Sequence, residues 1–374
     1  MIFGKDRRTK VGPPPEIVLT SRRNSGEPWI GPQVAATALP SIGKTRQHFR
    51  SAEPRTGDRN MVRRVTTAVT VLSVFVLGAP ALAEDSKEPI KLTLHDWTGQ
   101  LITTQLMGEA LKNAGLNVEY VQADYLAQFA GLKTGDLHVA MEIWETTGRD
   151  AMDEATATGK VENLGETGML AIEEWWYPEY MKEKCPGLPD WQALKKCAEQ
   201  FSTPETAPKG RYLGGPVTWG GFDEERAAAL GLPFEVVHAG TDAALFAELE
   251  SAYQRKAPIV QWIYAPHWAP IKYKGEWVEF PKYEPACYTD PAWGVNKTAT
   301  HDCGKPRGPI WKVSWSGLKD KWPSAYGAIK KFNISNDEMG ALITKVDLEG
   351  QKTEDVVAEW MKNNEARWKG WIGK

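Results

Sequence analysis

PIVQWIYAPHW, residues Pro258 to Trp268, sets apolar and aromatic side chains at Ile259, Val260, Trp262, Ile263 and Tyr264 ahead of Pro266 and His267. That pattern predicts a buried strand running into a turn. Alternation along a strand puts Trp262 and Tyr264 on one face. At the carboxyl end of a strand, where open α/β sheets place their ligands, two wide rings either pack as core or form one wall of a site for something aromatic faces attract.

Working outward, the same strand and helix rhythm recurs on both sides. Upstream lie a helix over Asp242 to Lys256 with Leu245, Leu249 and Tyr253 inward, a strand over Pro233 to Val237, a plain helix over Asp223 to Leu230, and a strand over Tyr212 to Thr218 that enters Trp219-Gly220-Gly221. Glycines there let backbone N–H groups approach a ligand at a helix N-terminus, a favourable place for an anion. Nearer the start, Ile90 to Leu94 and Asn117 to Val121 read as strands around a helix over Leu101 to Ala114, and Trp97 falls in the loop after the first strand. A helix over Leu126 to Lys133 precedes VAMEIW, Val139 to Trp144, a strand whose alternation pairs Glu142 with Trp144 and leaves Glu145 in the loop before a helix over Arg149 to Thr158. The chain is therefore expected to be an α/β protein in two halves. Ile271 to Pro309 reads as loop, and Pro323 to Phe332, Asn336 to Asp347 and Thr353 to Trp371 as helices.

MLAIEEWWY, Met169 to Tyr177, is the most unusual run: Glu173 and Glu174 interrupt an apolar series just before Trp175 and Trp176, and Pro178 ends it. Buried carboxylates are costly unless paired, so these side chains either reach solvent or await a cation.

Not all of the 374 residues read as one mature protein. The first 60, with Pro13 to Pro15 and many Arg and Gly, read as disordered or as the product of a wrongly assigned start. From Met61 the order is that of a secretory signal peptide over 61–83: Arg63 and Arg64, an apolar run from Val65 to Leu77, then Ala81-Leu82-Ala83. The run is shorter than the roughly 20 residues a bilayer requires. Cleavage there leaves Glu84 to Lys374 with no cysteine at its start to be lipidated, which implies a soluble periplasmic protein. Of 45 Lys+Arg and 48 Asp+Glu, 13 and 5 precede Glu84, leaving 32 against 43, a net charge of about −11 that argues against nucleic acid as a partner. All four cysteines lie in the exported part, where Cys185 with Cys197 and Cys287 with Cys303 are the expected pairs. The intervals lack the close spacing of a zinc site.

Seventeen tryptophans exceed what core packing needs, and several occupy one kind of position, the end of a strand or the loop just after it. Trp97, Trp144, Trp219 and Tyr264 share that placement, which points to an aromatic cage. Such a cage suits a methylated ammonium, whose charge is diffuse and which has no donor to satisfy. Each face contributes roughly 0.5 to 2 kcal/mol, short of the roughly 8 kcal/mol of micromolar binding, so methyl burial, a counter-carboxylate or donors for an anionic tail must add to it.

DWTGQ (Asp96 to Gln100), GDLHVAMEIW (Gly135 to Trp144), WWYPEY (Trp175 to Tyr180), TWGGFDEE (Thr218 to Glu225) and the opening stretch together resemble the periplasmic substrate-binding proteins of ABC importers for glycine betaine, choline and related methylammonium osmolytes. The resemblance covers nearly all of Ile90 to Lys374. It implies two α/β lobes, each a mixed sheet flanked by helices, joined by crossing strands and closing on the ligand by hinge motion. The first lobe would take roughly 84–175 plus C-terminal segments, the second roughly 176–280. Partners would be a permease and ATPase complex at the inner membrane, with the binding protein a monomer that needs no cofactor or metal.

Carried over by position, Trp97, Trp144 and Trp219 resemble cage residues, Tyr264 stands where family members often have another cage tryptophan, and Gly220 and Gly221 resemble backbone donors for a ligand carboxylate. Glu145, Glu173, Glu174 and Trp176 complete the candidate set. Some glycine betaine binders place a carboxylate-binding histidine where this chain has Gly148, and Pro266 and Trp268 around His267 mark it as a packed turn residue. With Glu142, Glu145, Glu173 and Glu174 near the presumed cage, a ligand without a carboxylate, trimethylamine N-oxide or choline, fits at least as well as glycine betaine; carnitine and dimethylsulfoniopropionate are further options. The Tyr264 hydroxyl is expected to serve an oxygen-bearing head group. Enzyme motifs such as HExxH, GxSxG and a phosphate-binding P-loop are missing from the sequence. A carbohydrate binder remains the alternative, and it would need coplanar rings rather than a closed box.

Overall fold

The computed structural model describes Glu84–Lys374, so the expected N-terminal extension and signal peptide lie outside the described residues. Among the described residues nine strands form the frame: β1 (Ile90–Leu94), β2 (Val118–Gln122), β3 (Val139–Trp144), β4 (Val161–Pro178), β5 (Gly210–Gly214), β6 (Phe234–His238), β7 (Gln261–Ala265), β8 (Gly275–Trp277) and β9 (Gly308–Trp315). Their order is β2-β1-β3-β9-β4-β7-β5-β6, with β8 paired to β4 off that path.

Two halves share one plan. In the first, β1 lies parallel between β2 and β3; in the second, β5 lies parallel between β6 and β7. Each parallel trio is closed by an antiparallel strand, β9 beside β3 and β4 beside β7. The 18-residue β4 belongs to both halves: it pairs with β9 from Val161 to Ala171 and with β7 from Ile172 to Trp176. Its first part is irregular, with register shifts on either side of Glu166. Gly168 sits in that stretch at φ +92°, where a Cβ would lie 2.9 Å from the Ile334 carbonyl oxygen. Only glycine combines that backbone angle with that approach.

Helices follow the strands as the alternating pattern requires. Thr98–Ala114 follows β1 and packs on Asn336–Asp347 and Thr353–Asn363; Asp223–Leu230 and Asp242–Arg255 serve the second half. Local chemistry starts them: Thr241 caps the helix Asp242–Arg255, and Ser335 with Glu338 forms a capping box. All six residues of β3 are buried, as expected of an inner strand covered on both faces.

Four readings of the sequence need correction. The strand expected over Tyr212 to Thr218 stops at Gly214, and Val217–Trp219 is a 3₁₀ turn, because Gly215 and Pro216 end the ladder. The run from Met169 is only the second part of β4. The C-terminal helix breaks at Asn364 into Thr353–Asn363 and Glu365–Trp371. Most consequentially, β9, which overlaps the region read as loop only at Gly308 and Pro309, stands between β3 and β4 and carries a buried lysine. Lys312 Nζ donates to the carbonyls of Glu166 (2.7 Å) and Phe332 (2.8 Å), so the ammonium is bonded inside the fold.

Both expected disulfides are present, Cys185–Cys197 and Cys287–Cys303, with Cα atoms 5.7 and 6.5 Å apart. Among the described residues no helix is long and apolar enough to cross a membrane. Bridges spanning 12 and 16 residues restrict the unfolded chain, so reduction is expected to lower unfolding free energy by about 3 kcal/mol per bridge. Denaturant midpoints with and without reductant check this.

Candidate ligand-binding site

Six of the nine strands deliver a side chain to one enclosed space. Trp97 follows β1, Tyr125 follows β2, Trp144 ends β3 with Thr147 in the turn beyond, Glu173 lies on β4, Trp219 follows β5 and Tyr264 lies on β7; these seven residues line a cavity of at most about 260 Å³. With that upper bound the occupant is small. Rings meet nearly at right angles: Trp97 with Trp219 at 76°, Trp97 with Tyr125 at 83°, Trp219 with Tyr264 at 81° and Trp144 with Tyr264 at 88°, centroids 5.5 to 6.0 Å apart. This is a closed box of crossed faces, not a flat platform. Trp97 and Trp144 come from the first half, Trp219 and Tyr264 from the second.

The polar ends of the four expected walls are tied behind the box. Trp97 and Trp144 donate their indole N–H groups to the same oxygen, Oε2 of Glu142, at 3.0 and 3.1 Å, and the Thr103 hydroxyl donates to Oε1 at 2.6 Å. Trp219 donates to Asp96 across the two halves at 3.1 Å, and Tyr264 to Asp242 at 2.7 Å. Tyr125 accepts the Trp144 backbone N–H at 2.8 Å, while His95 stacks on the rear of Trp97 at 4.8 Å. Burial raises the Glu142 pKa above the ordinary carboxylate value, and the three donors oppose that rise. Asp242 is pushed up to about 8 by burial, against the Tyr264 bond.

Glu173 is the one carboxyl group in the lining. It accepts the Thr147 hydroxyl at 3.2 Å, and burial pushes its pKa up to about 8, against the pull of the Lys305 charge and the Thr147 bond. Near neutrality this group carries a proton and is a donor. Lys305 lies behind it, Nζ 3.4 Å from Asp223 and 3.2 Å from the centre of the Trp262 ring.

Of the ten residues singled out in the sequence, Trp97, Trp144, Trp219, Tyr264 and Glu173 come together in the box, and five do not. Glu145 is paired with Arg149 at 3.0 Å and accepts the Trp311 indole N–H at 2.7 Å. Glu174 is bonded to buried Arg226 and accepts the backbone N–H of Lys305 at 2.8 Å. Trp176 packs on Gly275 of β8. The Gly220 N–H donates to the Val217 carbonyl at 3.2 Å, and Gly221 is glycine because a Cβ would run into Trp262. The Tyr264 hydroxyl is hydrogen-bonded to Asp242, which does not line the cavity. Trp262 supports Gly221 and Trp219 from beneath, and His267 stacks on Phe246 at 3.9 Å as a turn residue. Tyr125 and Thr147 were not singled out, although Tyr125 obeys the rule that found the other walls, an aromatic ring just past a strand.

A closed box of aromatic faces between two sheet halves defines a protein that captures a small organic ligand. Residues 88–363 match the family described as the substrate binding domain of ABC-type glycine betaine transport systems. The chain belongs to that family. A trimethylamine N-oxide-binding protein of Pelagibacter ubique (strain HTCC1062) is 32% identical over 308 residues, 80% of this chain and 95% of that one. Lactococcal OpuAC, closed on glycine betaine, superposes with a TM-score of 0.59 at 18% identity, covering 76% of this chain and 99% of its own. A choline-binding protein of an ABC transporter in complex with choline superposes at 0.61 with 16% identity, covering 76% and 91%. These likenesses give the fold its type, the two-lobed binding protein with β4 running from one lobe into the other.

The carboxylate behind the box is open to direct test. Glu142→Ala leaves two buried indole N–H groups unpaired, at about 1–3 kcal/mol each, and is expected to lower both stability and ligand affinity. Glu142→Gln, which keeps one acceptor oxygen, should cost less than half as much by chemical denaturation.

Proposed function

We propose that this chain is the capture component of an ABC importer for a methylated ammonium osmolyte, with trimethylamine N-oxide favoured over glycine betaine. The observation that carries this reading is Glu173, a buried carboxyl group set into a box of π faces, its pKa pushed up to about 8. In this reading the rings of Trp97, Trp144, Trp219, Tyr264 and Tyr125 surround the methylated nitrogen, and Glu173 donates to the oxide oxygen. Glycine betaine in the same pose would set its carboxylate against Glu173, and the described lining residues include no lysine, arginine or histidine to receive it. The name of the Pelagibacter relative supports the same ligand. Choline is the second reading, supported by the carboxylates Asp96 and Glu142 behind the walls; carnitine and dimethylsulfoniopropionate bring the carboxylate that the lining does not accommodate. Crossed rings argue against a sugar, which needs a flat stacking face.

The rest of the assignment follows from capture as the activity. Segment 61–83 exports the chain to the periplasm, where it works as a monomer without catalysis. Its lobes hinge about β4 near Ala171 and Ile172, the first lobe carrying β1 to β3, β9 and the C-terminal helices and the second β5 to β8. Closed on its ligand, it delivers to a permease and ATPase complex in the inner membrane.

Titration calorimetry with trimethylamine N-oxide, choline, glycine betaine, carnitine, dimethylsulfoniopropionate and a few sugars tests the ligand. Trimethylamine N-oxide is expected to bind tightest at pH 6 to 7 and to weaken above about pH 8, where Glu173 gives up its proton. Choline should show the opposite trend, because an ionised Glu173 attracts a cation. No heat from any methylated onium compound would sink the reading. Independently, Trp144→Ala and Trp219→Ala should each weaken binding by more than about tenfold, and unchanged affinity in both would remove the cage.

A further inference from the structure

Asp347 ends the helix Asn336–Asp347 in the first half, yet its carboxylate reaches the second. Oδ1 accepts the hydroxyl of Thr98, the residue after cage Trp97, at 2.6 Å. Oδ2 accepts the indole N–H of Trp268, in the turn after β7, at 2.8 Å. Beside it is His267, whose Nε2 lies 3.6 Å from the same Oδ2 and is buried without a hydrogen-bond partner. Nδ1 of His267 accepts the backbone N–H of Ala269 at 3.1 Å, and burial holds the ring's pKa down, so the neutral ring carries its proton on Nε2 and aims it at Asp347.

Asp242, His267 and Asp347 bring ligand atoms within 4.8 Å of one another, a spacing that a divalent cation spans. The tautomer argues otherwise: with Nδ1 engaged as an acceptor, Nε2 has a proton to give and no lone pair for a metal. What the arrangement does offer is a hydrogen-bond acceptor in one half facing two donors in the other, one bond made and the second still open by a fraction of an ångström. A buried donor without a partner is unfavourable, and a slight further approach of the two halves would satisfy it.

We propose that Asp347 is a closure latch, a positioning residue that touches no ligand and sets how long the closed form lasts. It engages Trp268 and, on full closure, His267, both in the turn that follows cage Tyr264; through Thr98 it is tied to the segment that carries Trp97. Closing the latch therefore brings one cage wall of each half to its final position. The proposal takes the closing motion from the capture function above, but its action needs no particular ligand.

The test is an inter-lobe distance measurement on the full mature chain, with a fluorescent pair attached through unnatural amino acids at exposed Glu119 and Glu235, on the outermost strands of the two halves. Asp347→Ala and Trp268→Phe are each expected to shift the ligand-free distance distribution toward longer separations, with Asp347→Asn between them and wild type. With trimethylamine N-oxide, or whichever panel compound binds, both should raise the dissociation rate about tenfold and change the association rate less than about twofold. Unchanged distances and release rates in both Asp347→Ala and Trp268→Phe would overturn the latch, as would a loss confined to association. Should wild type bind no panel compound, the ligand reading fails and the distances alone decide on the latch.

Discussion

Two indole N–H groups converging on one buried oxygen of Glu142 hold the site together. Trp97 and Trp144 leave different strands, and nothing in their backbones compels their rings to stand where they do. The shared carboxylate does: an ionised carboxylate only accepts, and with Thr103 on its other oxygen it meets three donors in fixed directions. The same bonds make burial of the acid tolerable. Rings and acid are thus mutually dependent, each being out of place without the other.

Asp96 and Asp242 extend the arrangement to Trp219 and Tyr264. With every N–H and O–H of these four walls turned outward, the inner surface shows π faces, and each face belongs to a ring whose donor is bonded to a carboxyl group. Such faces attract a diffuse cation through the ring quadrupole. Glu173 differs from these acids in its position inside the box. The site therefore joins a surface for positive methyl groups to a single directional donor, and the chemistry that suits both is a polarised bond from nitrogen to oxygen.

Much of this was legible in the sequence, for identifiable reasons. Strand ends followed by aromatic residues marked Trp97, Trp144, Trp219 and Tyr264, because the end of a parallel strand is fixed by local pattern. The same rule reaches Tyr125, three residues past β2 as Trp97 is three past β1. β9 alternates Trp311, Val313 and Trp315 with Lys312 and Ser314, but the polar pair is buried, and the carbonyls that satisfy Lys312 are contributed by residues 146 and 20 positions away. Charge partners were the other blind spot. Glu173 and Glu174 are neighbours in sequence with opposite surroundings, one facing Thr147 and the cavity, the other bonded to Arg226 from a helix about fifty residues on. No local pattern distinguishes them.

β4 passes from one half to the other as a continuous strand, and the switch in its pairing at Ala171 and Ile172 lies one residue from Glu173. In a rotation, a point sweeps an arc in proportion to its distance from the axis. With the proposed hinge axis through this switch, Trp97 and Trp144 would travel with one jaw and Trp219 and Tyr264 with the other, while Glu173 would stay almost still between them. On that proposal the molecule would work like a vice with a fixed stop: the aromatic jaws supply grip, and the carboxyl near the axis supplies the reference point against which the seated ligand is gauged.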